Sequence, residues 1–293
     1  MPKSRVTRAV KMYKADFIAG SAELAMLLEV SATPKPGNID RTHNFEDLIY
    51  EHFIGSAVGI FPVLRKAALR GRGIGTLVRD AVDGSTTWQT AGNCHFGAIL
   101  LLMPLCAAAS RSSTIPQVRT NAIEIVENTT TADAVQFYES FRRVNVRVQE
   151  GHYLDVNDPA SVKIIKEQNL TLRDIMRISS TNDSIARELV EGFPRTFRGA
   201  EMIRQFRKLG YDLNSSIVYL FLNLLREAPD TLIAKKFGPQ VALEVSARAN
   251  DALKFGTIEE FDGELIAQHI NPGTTADIVI GSLFIALLAG LRF

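Results

Sequence analysis

The sequence predicts an all-α protein, a single multi-helix globular domain over residues 1–293 built round buried central apolar helices. Three observations carry this. Apolar residues return at helical spacing along nearly the whole chain. No strand–helix–strand alternation, internal repeat or linker interrupts them. Two stretches, AILLLMPLCAAA and IVIGSLFIALLAGL, are apolar on every side, as central helices are.

The elements follow in order. Val10, Tyr13, Phe17, Leu24, Leu27 and Leu28 predict a first helix over 9–30. A second should begin near Phe45, run through Ile49, Phe53 and Ile54, and stop at Phe61 before Pro62. LVRDAV continues the pattern after a glycine cluster, and 97–109 reads as a central helix that Pro104 should kink. Thr171 with Asp174 three residues on forms a capping-box-like start. Further helical periods follow to the C-terminus, whereas the strand candidate NVRVQEGHYLDV stands alone.

Composition excludes several functions. Lys plus Arg is 33 against 32 for Asp plus Glu, so nothing pulls the chain toward nucleic acid or an anionic membrane. Lys3, Arg5, Arg8, Lys11 and Lys14 read as a solvated basic face. Both apolar stretches fall short of the roughly 18 residues of a membrane span. The N-terminal run contains Glu23 and Glu29 and does not read as a signal peptide. Cys94 and Cys106 form no disulfide framework, which fits a reducing cytoplasm.

Five segments carry chemistry. EVSATPKPGNIDR, residues 29–41, sets Glu29, Lys35, Asp40 and Arg41 on backbone stiffened by Pro34 and Pro36, with Gly37 free to approach a ligand. In RTHNFEDLIYE, His43, Asp47 and Glu51 recur every four residues and would line one helix face, where the carboxylates could hold a divalent cation such as Mg²⁺. TAGNCHFGAILLL places Gly92, Asn93 and His95 before an apolar helix whose free N–H groups could receive a phosphate. HINPGTTADIVIGSLF repeats that grammar, with Gly273 in the turn, Thr274 or Thr275 to cap, and Asp277 in the first turn. EAPDTLIAKKFG sets Asp230 at a helix start, where a cap explains it by itself, with Lys235 and Lys236 following. RGRGIG, by contrast, lacks the strand and the lysine of a phosphate loop and reads as a helix–helix connection.

Together these segments resemble the triphosphoribosyl-dephospho-CoA synthase family. The family's E-V-x-x-T-P-K-P-G-L-V-D-R stretch stands here as Glu29 to Arg41, and its G-V-N-T-H-K-G element as AGNCHFG, with Asn93, His95 and Gly97 kept but Cys94 and Phe96 in place of threonine and lysine. Its P-G-G-S-A-D-L-L-A element is similar to PGTTADIVIG, keeping Pro272, Gly273, Ala276 and Asp277. A D-T-N-L-like segment matches at Asp230, and the G-A-H-x-D-M element matches loosely at His43 and Asp47. The chain therefore looks like a divergent member.

The resemblance implies an all-helical transferase that moves the triphosphoribosyl group of ATP to the ribose 2′-hydroxyl of dephospho-CoA and releases adenine. It implies Glu29 and Asp40 as catalytic carboxylates, Asp47 and Asp277 as Mg²⁺ ligands, and Lys35, Pro36, Gly37, Arg41, His43, Asn93, His95, Gly97, Asp230 and Gly273 as substrate-binding residues. ATP and dephospho-CoA would be the partners, in the cytoplasm, with no nucleic acid or membrane and a homodimer left open. Two other readings are a related transfer to a different cofactor precursor, for example a pterin-type one, and a non-catalytic helical nucleotide-binding protein. A helical interaction scaffold is a third, and it requires the charged segments to lie apart. The convergence of residues 33–41, the turn before Gly97 and the turn before Asp277 on one pocket is the geometric expectation that separates them.

Overall fold

Apolar periodicity becomes helices throughout. The computed structural model describes residues 3–92, 94–141, 154 and 158–293, and among these residues there is no strand. The helices are α1 (Lys3–Ser31), α2 (Tyr50–Arg70), α3 (Ile74–Ser85), α4 (Phe96–Arg111), α5 (Ile115–Glu127), α6 (Thr131–Phe141), α7 (Pro159–Glu167) and α8 (Leu172–Ser179). They continue with α9 (Ser184–Glu191), α10 (Pro194–Lys208), α11 (Leu213–Glu227), α12 (Thr231–Phe237), α13 (Pro239–Phe255), α14 (Ile258–Ala267) and α15 (Gly273–Leu288). The strand candidate lies outside the described residues except for Leu154.

The two all-apolar stretches are the central helices. In α4 every residue from Ala98 to Ala109 is buried, and in α15 so is every residue from Ile278 to Leu287. They pack on each other, and both pack on α1. Truncating one of their fully buried leucines, Leu102 or Leu283, to alanine would cost about 2–5 kcal/mol, because the surrounding helices cannot close over the void. Caps fix several starts. Thr171 and Asp174 form the expected capping box on α8, and Asp183 caps α9 by accepting from the Ile185 and Ala186 N–H groups at 2.9 Å each. RGRGIG is a helix–helix connection, with Gly71 and Gly73 at φ 64° and 73° between α2 and α3.

The second helix differs from expectation at both ends. It starts at Tyr50, where one side chain upstream and one in the first turn take the leading donors: Asn44 Oδ1 accepts the Tyr50 N–H at 2.7 Å and His52 Nδ1 accepts the Ile49 N–H at 3.2 Å. It also runs through Pro62 to Arg70. The proline removes one backbone bond, but Ser56, Ala57 and Ile60 before it and Leu64, Ala67 and Ala68 after it are buried on one face, and that packing carries the helix across. His43 and Asp47 therefore lie in a loop, and the expected one-face arrangement with Glu51 does not form.

Candidate active site

Several helix ends meet at one cavity of about 690 Å³. The N-termini of α4, α9 and α15 open on it, so their positive dipole ends converge there. Glu29 near the end of α1, Asn38 and Asp47 of the following loop, and Lys235 and Lys236 of α12 complete the polar wall. Other parts of the wall are apolar and aromatic. Phe96, Phe137 and Phe141 form a ring cluster there, with Phe96–Phe141 and Phe137–Phe141 centroids 4.7 and 4.9 Å apart.

The residue 29–41 loop is fixed from within. Lys35 is fully buried; its Nζ donates to the Ile39 carbonyl at 3.1 Å and stands 3.4 Å from Glu29 Oε1. Glu29 reaches the cavity and Lys35 does not. Burial raises the Glu29 carboxyl against the pull of Lys35, and Glu29 Oε1 has no hydrogen bond. Asp40 is also buried, but its Oδ1 accepts from the Thr42 N–H at 2.8 Å, the Thr42 hydroxyl at 2.7 Å and the His43 N–H at 3.0 Å. Burial works against its charge, and the Thr42 bonds and Lys35 outweigh it, so the carboxyl sits below its ordinary range.

Pro36 and Gly37 are buried in the same loop. The Gly37 N–H donates to Asp262 Oδ1 at 2.9 Å, and a Cβ at position 37 would strike the Ile270 carbonyl and stand 2.7 Å from Leu265 Cβ. Next to it, Asn38 Nδ2 donates to Asn271 Oδ1 at 3.2 Å. His43 Nδ1 lies 3.4 Å from Asp40 and 3.3 Å from Asp262, outside the cavity wall. Arg41 is exposed, with a guanidinium nitrogen 3.5 Å from Asn214 Oδ1.

The turns before α4 and α15 interlock. Asp277 accepts the Ala98 N–H at the start of α4. It can do so because residue 97 is glycine: a Cβ there would collide with Asp277 Oδ2 and stand 2.8 Å from its Cγ. Burial raises the Asp277 carboxyl well above its ordinary range, and the charges of Glu29, Asp230 and Asp183 add to the shift. His95, buried at the N-cap of α4, holds its Nδ1 2.9 Å from Ser56 Oγ and leaves Nε2 without a partner. Burial lowers its pKa to about 3, so the ring is neutral. Asn93 lies outside the described residues.

Asp230 is spent on structure. Its Oδ1 caps α12, accepting from Leu232 and Ile233, while Oδ2 accepts the Thr275 N–H at 2.7 Å and its hydroxyl at 2.8 Å, tying α12 to α15. Gly273, Asp277 and Lys235 line the same cavity, and the Lys235 Nζ is 2.5 Å from Asp183 Oδ2.

A family model, CitG: ATP:dephospho-CoA triphosphoribosyl transferase, matches residues 15–292. The chain belongs to this family. A protein of Pseudomonas putida named "Probable 2-(5''-triphosphoribosyl)-3'-dephosphocoenzyme-A synthase" is 25% identical over 96% of this chain and 98% of its own length. One of the same name from Citrobacter koseri is 25% identical over 90% of this chain and 88% of its own. A crystal structure from Archaeoglobus fulgidus, assigned by name to triphosphoribosyl-dephospho-CoA synthase, superposes with a TM-score of 0.72 at 31% identity, covering 83% of this chain and all of that one. The all-helical fold, the transferase class and ATP as substrate are those of the family.

Among the expected site residues, the cavity wall gathers Glu29, Asp47, His95, Gly97, Gly273 and Asp277. Lys35, Pro36, Gly37, Arg41, His43, Asp40 and Asp230 are not part of it. Sequence reasoning missed Asp183, Asn38, Asn271 and Asp262. Asp183 carried a signal, as a cap residue before an apolar period; Asp262, midway along a helix, carried none.

Proposed function

We propose that the cavity transfers the triphosphoribosyl group of ATP to a hydroxyl of dephospho-CoA and releases adenine, in the cytoplasm where ATP is made and used. The observation that carries this reading is the convergence of Glu29, the α4 start and the α15 start on one cavity that also carries a cluster of aromatic rings. The triphosphate faces the N-termini of α4, α9 and α15 and the lysines of α12, whose partial and full positive charges spread its own. The leaving base lies against Phe96, Phe137 and Phe141, where a planar ring finds dispersion and stacking partners. The anomeric carbon meets Glu29, which lines the same cavity.

Breaking the bond from ribose to adenine builds positive charge on the sugar. Glu29, which lines the cavity and stands beside Lys35, can stabilise that charge as a carboxylate without reorganising. Asp40 does not line the cavity and acts as the anchor of the loop that carries Lys35 and Asn38. His95 stays neutral, so its ring neither repels the developing charge nor binds phosphate as a cation.

Glu29, Asp47, Asp183 and Asp277 line the cavity against Lys235 and Lys236, and a polyphosphate adds further negative charge. Among the described residues no group of three or more ligands forms a closed metal cage. The donor set fits Mg²⁺, which takes one or two protein carboxylates and completes its shell with phosphate oxygens and water. Asp277, raised by burial among other carboxylates, would hold it. When bound, the cation supplies charge neutralisation for the triphosphate. The mass of the acceptor after incubation with ATP and Mg²⁺ tests the reading: it should rise by one triphosphoribosyl unit, and a gain of a phosphoryl or adenylyl group would overturn it.

A further inference from the structure

A second cavity, of about 430 Å³, lies beside the first. Four residues line both: Asp47, Leu48, Lys236 and Asn271. The rest of its wall includes Phe45 and His269, whose rings stand 5.6 Å apart at 45°. His269 is an unusual choice for its position. It ends α14 in a Schellman turn, with its N–H donating to Ile266 and that of Ile270 to Leu265 at 2.9 Å. Its φ is 55°, where glycine is the residue without a steric cost. A ring is therefore held against the cavity at some backbone expense.

We propose that this second cavity seats the acceptor, with a heteroaromatic base against Phe45 and His269, and that Asp47 takes the proton of the acceptor hydroxyl. The assignment rests on the transfer reaction proposed above. A two-substrate transfer needs the attacking hydroxyl and the anomeric carbon to meet, and the only described residues common to the two cavities mark where they can. Of those four, Leu48 carries no proton-accepting group, Asn271 is an amide already accepting from Asn38, and Lys236 is a cation. Asp47 alone offers a carboxylate, and it is exposed in the loop before α2.

The step balances. The hydroxyl oxygen bonds to the anomeric carbon as the bond to the adenine nitrogen breaks, the electron pair leaves with adenine, and the hydroxyl proton passes to Asp47. Adenine takes its proton from water, and Asp47 returns one to solvent.

The test uses the full chain with ATP, Mg²⁺ and dephospho-CoA. Asp47→Asn should bind MgATP with wild-type affinity by calorimetry and release adenine about 100-fold more slowly or worse. Phe45→Ala should raise KM for the acceptor about tenfold and leave that for ATP unchanged. Loss of MgATP affinity in Asp47→Asn would make it a cation ligand and overturn the assignment. So would turnover within about threefold of wild type, or a rise in KM for ATP in Phe45→Ala. A wild-type chain that releases no adenine overturns the transfer reading itself, and this assignment with it.

Discussion

Asp277 fills the space that a side chain at position 97 would need. Its carboxylate accepts the Ala98 N–H only because Gly97 has no Cβ to meet it. The two turns that the sequence marks as phosphate-binding are thus one interlocked unit, with α4 and α15 starting from a shared contact.

Gly97→Ala should break that unit. The added methyl must displace Asp277 or Ile185, whose Cγ1 would stand 3.1 Å away. Overpacking of this kind costs about 1–3 kcal/mol. The expected result is a lowered melting temperature together with a fall in MgATP affinity, measured by calorimetry.

Asp277→Asn separates function from folding. The folded carboxyl is raised above its unfolded value of 3.8, so the charge is disfavoured in the native state. Stability from this group is therefore greatest at acid pH and falls as pH rises above the unfolded value. The apo variant should be at least as stable as wild type at neutral pH, with the difference growing from about pH 4 upward. Mg²⁺ with ATP should raise the melting temperature of wild type and not of the variant. A variant that merely melts earlier and binds MgATP normally would reduce Asp277 to a helix cap.

Lys35→Met tests the buried pair. It leaves the Glu29 charge without its partner in a site that already disfavours it. Losing one member of a buried pair costs about 3–5 kcal/mol. Chemical denaturation should show that loss, and Glu29→Gln/Lys35→Met should recover part of it while remaining inactive.

His95 should not titrate in the working range. Its pKa of about 3 lies below the ordinary value of 6.5, so the stability it contributes is present above that value and is lost as pH falls toward 3. Its ring carbon proton shift, followed by NMR, should stay flat from about pH 5 to pH 8. A midpoint inside that window would mean that the ring is solvated and not buried against Phe53 and Ser56.

The helices were legible because each buries a stripe or a whole surface, and burial imposes a period on the residues. Two boundaries were not. Asn44 and His52 capped α2 later than the apolar pattern began, and Pro62 passed because flanking buried faces outweighed one lost bond. In the site, turns followed by apolar helices revealed His95, Gly97, Gly273 and Asp277. Lys35 misled: a cation beside two prolines reads as a phosphate ligand, and the fold buries it against Glu29. Asp183 and Asn271 meet the cavity through tertiary packing that links segments far apart in sequence, which no local pattern encodes.

Release of free adenine tests the central claim most directly. With ATP, Mg²⁺ and dephospho-CoA, chromatography should show adenine accumulating in step with acceptor consumed, and no ADP or AMP. Accumulation of ADP or AMP without adenine would contradict it, because the ribose–adenine bond would then have survived.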